Sequence, residues 1–432
     1  LTRIDTARRE GFHRWPRFLP DGRHFLYSVR GAAAQPGIYA GSLDGKTKKF
    51  LVRSDSNAFY ASPGYLLYLD QDMLLAQPFD AGSLELKGSP FPVADRVGRS
   101  SFGDGAVAVS QTGVLAYAGP ILRTGHLTWF DRMGSEIGIA GAEGDYTDFR
   151  LSPDGTRLAA SLVDARAGWP DIWLTDLTRG STFRYTFGPF LAASPLWSPD
   201  GTRLVFRRTP RGVTEFFEKS AAGAGNEQAV LTQDQERAAH VNSVTLVPTD
   251  WSPDGRNIIF AVPAIGSGFE LWRLPMDGTS TPIRFLQSTA DLMHANFSPD
   301  GKLIAYSSNE SGRFEVYVQT FPLTDRKWQV STSGGYEPRW RADGREIYYL
   351  SEGRKLMAAE VKPGSSFGVP KVLFQTRVPA GVNGLRTNYV PDRDGRRFLV
   401  NTQSSDAPPE AITVTVNWLT GHGTTTNGPA AR

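Results

Sequence analysis

The tetrapeptide Ser252-Pro253-Asp254-Gly255 decides the fold, because the chain repeats it at nearly constant intervals. Intact copies also begin at Ser152, Ser198 and Ser298. With the eroded copies included, the turn glycines are Gly22, Gly64, Gly113, Gly155, Gly201, Gly255, Gly301, Gly344 and Gly395. Successive glycines are 42 to 54 residues apart. A period of this size is typical of an array of like structural units.

The residue pattern of each unit predicts four short antiparallel strands. Pro, Asp and Gly are turn residues, and the runs that follow the turn are rich in β-branched and aromatic residues, as in Asn257-Ile258-Ile259-Phe260. Two further runs, such as those at residues 270–274 and 283–286, complete the unit. The sequence therefore predicts an all-β fold, a single β-propeller of four-stranded antiparallel blades with nine modules and eight or nine blades.

The last module ends after its third strand, at residues 411–416. We expect the N-terminal residues 1–5 to supply the missing strand, so that the two ends of the chain close the ring and cover the sheet edges. The predicted propeller domain spans residues 1–420. The small, polar residues 421–432 are predicted to be a disordered tail.

Composition excludes several classes of protein. The 432 residues are 40% hydrophobic, carry a formal net charge of +3 and include no cysteine. Disulfides and Cys-ligated metals are therefore excluded, and no dense Lys/Arg block supports nucleic-acid binding. No apolar run is long enough to span a membrane, so we expect membrane attachment only through a part of the protein that is missing here. The chain begins at Leu1 rather than Met, which indicates a mature fragment or an excised domain.

No catalytic constellation is recognisable. The sequence lacks the nucleophile elbow, the HExxH motif and the Walker loop, and its six histidines are scattered without ligand spacing. Asp392-Arg393-Asp394-Gly395 resembles the start of a calcium loop but occupies the position of a structural turn. We therefore predict no enzyme, no metal and no cofactor.

Alignment on the turn glycine gives the best candidate site. The residue four places before the glycine is usually apolar and is expected to pack between blades, whereas the residues five and seven places before it are often polar. In a propeller these polar side chains would line the central channel near one mouth. The candidate ligand-binding residues are Arg17, Asp148, Arg150, Asp250, His294, Asn296, Glu337 and Arg339. Arginines here could hold an anionic ligand or a peptide end; the alternative is a self-paired ring of charges with no ligand.

Long loops are a second candidate for recognition, because loops on a rigid scaffold often carry binding residues. Residues 163–170, 207–212 and 232–250 form longer connections than their counterparts. Trp169, flanked by Arg166 and Asp171, is a candidate contact residue. The alternative is that Trp169 folds back onto its own blade.

The S-P-D-G-x-x-[LI]-x-[FY] units resemble the TolB-like or WD40-like propeller repeat of bacterial proteins over residues 10–418. Several stretches also resemble the propeller half that follows bacterial transmembrane serine/threonine kinases; they are residues 17–27, 127–132, 223–227, 315–322 and 412–418. This resemblance implies a non-catalytic domain that binds a protein, a peptide or a small anionic ligand and feeds a kinase absent from this sequence.

Three hypotheses stay open at this point. The first is the sensor or interaction domain of a larger bacterial signalling protein. The second is a free periplasmic TolB-like scaffold of the envelope. The third is a propeller enzyme, such as a lyase or a glycosidase, with an active site at the channel mouth. The first two favour a periplasmic or other extracytoplasmic location, with the cytoplasm as the alternative.

Overall fold

The computed structural model describes residues 2–3, 5, 10–31, 35–54, 56–99, 104–119, 125–164, 169–188, 190–209, 214–239, 241, 245–264, 267–278, 281–286, 288–379, 381–403 and 412–419. Contacts separate the chain into two compact units. Unit 1 comprises Leu1–Ile121, Arg166–Gly168 and Ala407–Arg432, and unit 2 comprises Leu122–Ala165 and Trp169–Asp406.

The repeated turn owes its sequence to hydrogen bonds within it. The Ser252 hydroxyl donates to Asp254 Oδ1 at 2.6 Å and accepts from Asn257 N at 2.9 Å. Asp254 Oδ1 also accepts from Arg256 N at 3.0 Å, and Gly255 has a φ of 74°. Each residue type thus satisfies a backbone group or a dihedral angle that the turn requires. The same serine-to-aspartate contact recurs at residues 152, 198 and 298, so the motif is a hairpin turn as predicted.

Unit 1 begins with two antiparallel sheets. The first contains β1 (Glu10–Phe18), β2 (His24–Gly31), β3 (Gly37–Ser42) and β4 (Lys48–Val52). The second contains β5 (Ala58–Ala61), β6 (Tyr65–Asp70), β7 (Met73–Asp80), β8 (Glu85–Leu86) and β9 (Phe91–Ala94). A third, smaller sheet starts with β10 (Val107–Val109) and β11 (Leu115–Tyr117).

Unit 2 contains six sheets, five of which consist of strands consecutive in sequence, and four of these five have four strands each. Its first strands are β12 (Gly125–Asp131) and β13 (Glu136–Gly144). The four sheets follow as β14 (Tyr146–Leu151), β15 (Arg157–Val163), β16 (Pro170–Asp176), β17 (Ser181–Arg184); β18 (Ala192–Trp197), β19 (Arg203–Arg208), β20 (Glu215–Ser220), β21 (Gln228–Leu231); β22 (Val247–Trp251), β23 (Asn257–Ala264), β24 (Ser267–Pro275), β25 (Ile283–Leu286); and β26 (Leu292–Phe297), β27 (Leu303–Ser308), β28 (Glu315–Thr320), β29 (Lys327–Gln329).

A fifth sheet of unit 2 contains β30 (Tyr336–Trp340), β31 (Glu346–Leu350), β32 (Lys355–Lys362), β33 (Ser366–Phe367) and β34 (Lys371–Gln375). The sixth joins the two ends of the unit: β35 (Tyr389–Pro391) and β36 (Arg397–Gln403) pair with β12 and β13 in the order β13-β12-β36-β35. The inner strands contact one another in the cyclic order β14, β18, β22, β26, β30, β35 and back to β14. Unit 2 is therefore a closed arrangement of six blades.

The last strand, β37 (Thr413–Thr415), pairs with β11 in the third sheet of unit 1. The prediction that residues 1–5 complete the last module is therefore wrong. Thr2, Arg3 and Asp5 lie outside any strand, while residues 1 and 4 lie outside the described residues. The last turn module takes its outer strands from β12 and β13, because β36 forms a full antiparallel ladder with β12.

The described residues form nine sheets, which matches the nine predicted modules. Almost all described secondary structure is β, and the one described helix, α1 (Gln233–Ala238), lies in the long segment after β21. No described helix has the length and apolar character of a membrane span. That residues 1–420 form one propeller domain stays a prediction, and the predicted tail at residues 421–432 lies outside the described residues.

The blades of unit 2 pack through the residue four places before each turn glycine, as predicted. Trp197 is buried, and its indole Nε1 donates to the carbonyl oxygen of Arg150 on the preceding inner strand at 3.2 Å. Trp340 does the same with Asn296 at 3.2 Å. The guanidinium of Arg157 lies 4.6 Å above the Trp197 ring. These two indoles therefore each contribute apolar burial and one directed hydrogen bond between neighbouring blades, whereas Trp251 at the same offset donates to Gly255 O in its own turn.

Candidate functional site

Beta-bulges shape the centre of unit 2. Ser194, His294 and Glu337 lie seven residues before their turn glycines and have φ values of 54°, 56° and 57°. The register of each inner strand shifts at these residues. A left-handed backbone is unfavourable for residues other than glycine, and bulges often redirect side chains near functional sites. Trp15 of unit 1 has the same offset and a φ of 54°.

One polar group joins the first and last inner strands. The Nη1 of Arg150 on β14 donates to Asp148 Oδ1 at 3.0 Å and to Thr387 Oγ1 at 2.6 Å. The Thr387 hydroxyl in turn donates to Asp148 Oδ1 at 2.5 Å. The Arg150 Nη2 also reaches the carbonyl oxygen of Thr249, at 3.5 Å. Arg150 is therefore fixed in place by groups from three segments of the unit.

A second polar group links β26, β30 and the segment immediately before β35. The Nη1 of Arg339 donates to Asn296 Oδ1 at 2.9 Å, and its Nη2 lies 3.6 Å from Glu337 Oε1. The carboxylate of Glu337 accepts two hydrogen bonds from Asn388. Arg339 Nη2 also lies 3.4 Å from Thr387 Oγ1, the hydroxyl that Arg150 contacts. The two groups thus form one continuous network through Thr387.

Burial dominates the protonation behaviour of the network. Desolvation raises the pKa of Asp250 to about 6, against a hydrogen bond from Phe297 N that favours its charged form. Desolvation lowers the pKa of His294 to about 3, so its imidazole is neutral at physiological pH. Its Nε2 lies 3.1 Å from the carbonyl oxygen of Asn383 and its Nδ1 3.3 Å from Ser307 Oγ. Burial also raises the pKa of Glu337 and lowers that of Arg150.

Seven of the eight predicted channel residues lie in unit 2, on β14, β22, β26 and β30; they are Asp148, Arg150, Asp250, His294, Asn296, Glu337 and Arg339. Six of the seven take part in one hydrogen-bonded network or flank it, and Asp250 is electrostatically coupled to both arginines. Arg17 lies in unit 1, where its guanidinium lies 4.1 Å from the centroid of the Phe59 ring. The alternative of a self-paired ring thus describes most of these side chains, although they are buried rather than solvated.

The predicted recognition loops are partly structural. Arg207 and Arg208 belong to β19 rather than to a loop, and in the long segment α1 is followed by Val241 and Leu246, which pack into the core beside Trp251. Trp169 is half-buried, and its carbonyl oxygen accepts a hydrogen bond from Asp164 N at 3.1 Å. Arg166 lies outside the described residues. The role of Trp169 in binding stays a prediction.

Thr387 and Asn388 were not among the predicted site residues, and Arg207 was predicted to lie in a recognition loop rather than on β19. Asn388 lies seven residues before Gly395, which is the same offset that selected His294 and Glu337. Extending the alignment to the last module would have found it. Thr387 precedes it and carries no signal of its own.

Two clefts lie between neighbouring turns of unit 2. One, of about 680 Å³, is lined by Arg132, Arg341, Ala342, Asp343, Glu346, Arg393, Asp394, Gly395 and Arg396. The other, of about 660 Å³, runs from Ser252 to Leu323 and includes Phe285 and Phe321. Neither contains a predicted channel residue. Among the described residues, no cluster of three or more His, Asp or Glu side chains could hold a metal ion.

The fold is similar to those of several solved structures. A protein described as a TolB of Agrobacterium tumefaciens matches with a TM-score of 0.51 and 16% identity, over 66% of this chain and 99% of that chain. TolB from Acinetobacter baumannii matches with a TM-score of 0.45 and 17% identity, over 73% and 81% of the two chains. An oligogalacturonate lyase in complex with manganese matches with a TM-score of 0.36 and 14% identity, over 77% and 83%.

Of these three structures, the first has the highest TM-score, 0.51, and at 16% identity its similarity to this chain concerns the fold alone. Together with the sheet organisation, it establishes a TolB-like β-propeller fold. No protein-family model and no curated protein matches the chain.

Proposed function

We propose that unit 2 is a non-catalytic binding propeller that recognises a small anionic ligand or the end of a peptide at the centre of its inner strands. One observation carries the proposal. Within the described residues, buried donors at this centre, including Arg339 Nε and the Ser194 hydroxyl, have no hydrogen-bond partner. Buried polar groups are nearly always paired with protein, water or a ligand. An acceptor from outside the chain would satisfy these donors.

The charged network supports binding rather than chemistry. An acid or base catalyst needs a pKa near the working pH and access to substrate. The pKa of His294 is about 3, and Glu337 is occupied by Asn388. These groups hold the blades in register and give the centre a fixed shape, which favours affinity because little ordering is needed on binding.

Asp250 is the group on which the enzyme alternative depends. Its pKa of about 6 is typical of a catalytic carboxyl group. It has no ion-pair partner within the described part of the chain. The binding experiment therefore includes a search for product.

The proposal extends to the larger protein. The stretches that resemble kinase-linked propellers favour a sensor or interaction domain of a bacterial signalling protein, working outside the cytoplasm. A free envelope scaffold with the TolB-like fold is the alternative. A β-lactamase fusion to the natural full-length protein tests the location: ampicillin resistance is expected, and its absence would contradict an extracytoplasmic site. An upstream kinase and membrane span in the same coding sequence distinguish the sensor from the scaffold.

The binding experiment is a ligand-observed NMR screen of the full chain against short peptides, cell-wall fragments and small organic anions. We expect at least one saturable ligand whose affinity falls about tenfold or more in Arg339→Gln. Arg345→Gln is the matched control, because Arg345 is 79% exposed in the turn that precedes β31 of the same sheet. The proposal would be overturned if no compound in the library bound, or if Arg339→Gln and Arg345→Gln lowered the affinity equally. Mass spectrometry of the ligands after incubation should show no conversion; conversion would favour the enzyme.

A further inference from the structure

At two junctions of unit 2, neighbouring blades share a contact that depends on position in the repeat. There, the side chain of the sixth residue after the turn glycine contacts the backbone of the bulge residue on the next inner strand. Ser161 Oγ accepts from Ser194 N at 3.1 Å, and Ser307 Oγ accepts from Glu337 N at 3.0 Å. In each case a small hydroxyl satisfies the backbone N–H of a left-handed residue.

The other junctions lack this hydroxyl: three have Ala261, Leu350 or Asn401 at the corresponding position, and one has a charged residue. The sixth residue after Gly201 is Arg207, and the residue at the bulge offset of the next inner strand is Pro248. Proline has no N–H to donate, so a serine would have nothing to accept there. β19 contacts β22, as the arrangement requires. The serine hydroxyl and backbone N–H of the two junctions above are thus replaced by the Arg207 guanidinium and the buried Pro248.

Arg207 has no counter-ion or hydrogen-bond partner among the described residues, and its Nε is buried. Burial lowers its pKa to about 10, with Asp148 as the opposing charge, so the group remains a cation at neutral pH. Arg207 pairs with Ala193 across the strands. The next residue, Ser194, has a buried hydroxyl that also lacks a partner. A half-buried cation without a protein partner is incompletely solvated, which is costly, and a ligand anion would satisfy both side chains.

We infer that Arg207 and Ser194 form a subsite for a singly charged carboxylate at the junction of β18 and β22. A carboxylate matches the planar fork of a guanidinium and can accept from the serine hydroxyl at the same time. The nearby Asp148 carboxylate disfavours a doubly charged phosphate, since one guanidinium balances one negative charge. This inference rests on the proposed binding function and specifies the ligand group that the centre of unit 2 recognises.

The test measures dissociation constants by NMR titration at constant ionic strength, with the full chain and four probes. The probes are acetate, trialanine, trialanine amide and inorganic phosphate. We expect acetate and trialanine to bind, trialanine amide to bind at least tenfold more weakly than trialanine, and phosphate to bind more weakly than acetate. If trialanine binds no better than acetate, the source of the carboxylate is a small acid rather than a peptide end.

Arg207→Gln should weaken acetate binding tenfold or more without lowering the melting temperature, because it removes a half-buried charge that has no partner. Arg203→Gln is the matched control: Arg203 lies on the same face of β19 but pairs with Glu218 at 2.9 Å. Ser194→Gly, which suits the left-handed backbone, should weaken binding about two- to fivefold. Unchanged binding in Arg207→Gln, or an equal loss in Arg203→Gln, overturns the inference. If other compounds bind the centre and no carboxylate does, this inference fails and the proposed function stands.

Discussion

Glu337 and Asn388 are joined by two hydrogen bonds between neighbouring inner strands of unit 2. Glu337 Oε1 accepts from the backbone N of Asn388 at 2.8 Å, and Oε2 accepts from its Nδ2 at 2.9 Å. The Glu337 residue is 0% exposed, and Arg339 supplies a positive charge 3.6 Å away. Both carboxylate oxygens are therefore engaged by the blade that closes unit 2.

Replacing this carboxylate should destabilise the closing contact. Glu337→Gln offers one acceptor oxygen in place of two and removes the counter-charge of Arg339. Hydrogen bonds to charged groups contribute about 1.5–3 kcal/mol, and breaking a buried ion pair costs about 3–5 kcal/mol. We expect a loss of about 2–4 kcal/mol in the free energy of unfolding, measured by urea denaturation with tryptophan fluorescence.

Glu136→Gln is the matched control, because Glu136 pairs with Arg377 on the surface, with side chains 51% and 64% exposed. Exposed pairs contribute about 0–1 kcal/mol, so the unfolding midpoint should barely move. Equal midpoints for the two variants would contradict the structural role assigned to Glu337.

Asp250 should make stability depend on pH. Its pKa is about 6 in the folded protein, against an ordinary value of 3.8. Because the raised folded pKa means that the folded state holds the proton more tightly, its contribution is most favourable below pH 3.8. That contribution falls as the pH rises to 6 and is constant above it. One pKa unit corresponds to about 1.4 kcal/mol, so the loss is of the order of 2–3 kcal/mol.

Asp250→Asn removes this dependence while keeping an oxygen that can accept from Phe297 N. The variant should melt at the temperature of the wild type near pH 4 and at a higher temperature at pH 8. Differential scanning calorimetry across pH 4–8 measures the difference. A constant difference at all pH values would show that Asp250 keeps its ordinary pKa.

The turn sequence predicted the repeat because its geometry depends on residues within the turn. Ser252, Asp254 and Gly255 satisfy one another locally, so their spacing carries over directly into the structure. The offsets from the glycine then located Asp148, Arg339 and their neighbours. Closure was not predictable in this way. The outer strands of the last blade, β12 (Gly125–Asp131) and β13 (Glu136–Gly144), lie far along the chain from β35 (Tyr389–Pro391) and β36 (Arg397–Gln403), and nothing local to Gly395 indicates them.

The internal geometry of the site was also not predictable from the sequence. Ser194, His294 and Glu337 adopt a left-handed backbone, although none of them is a glycine or an asparagine. Strand alternation alone predicts that side chains five and seven places before the glycine face the same way. The bulges depart from that alternation, so which groups pair could be seen only in the structure.

The left-handed backbone of Ser194 gives a direct comparison of two substitutions. Ser194→Gly and Ser194→Ala both remove the hydroxyl, but only glycine adopts a φ of 54° without steric cost. The left-handed conformation costs other residues about 1–2 kcal/mol. We expect the glycine variant to be more stable than the alanine variant by about 1 kcal/mol in urea unfolding.

The same pair of substitutions at Ser307 is the control. Ser307 is buried in β27 and does not itself have a positive φ, although its hydroxyl accepts a hydrogen bond from Glu337 N of the neighbouring blade. Glycine in an ordinary strand is less stable than alanine by about 0.5–1 kcal/mol. The order of the two variants should therefore reverse. The same order at both positions would contradict the assigned backbone strain.

The Ser-Pro-Asp-Gly turn should require the serine hydroxyl and an acceptor oxygen, but not a negative charge. Ser252→Ala leaves Asn257 N without its acceptor in a buried turn and should cost about 1–2 kcal/mol. Asp254→Asn keeps an oxygen that can accept from Ser252 and from Arg256 N, so it should cost less than half as much. Urea unfolding of both variants at pH 7 measures the difference. A larger loss for Asp254→Asn would mean that the carboxylate charge has a role of its own, and the motif would then be more than a turn.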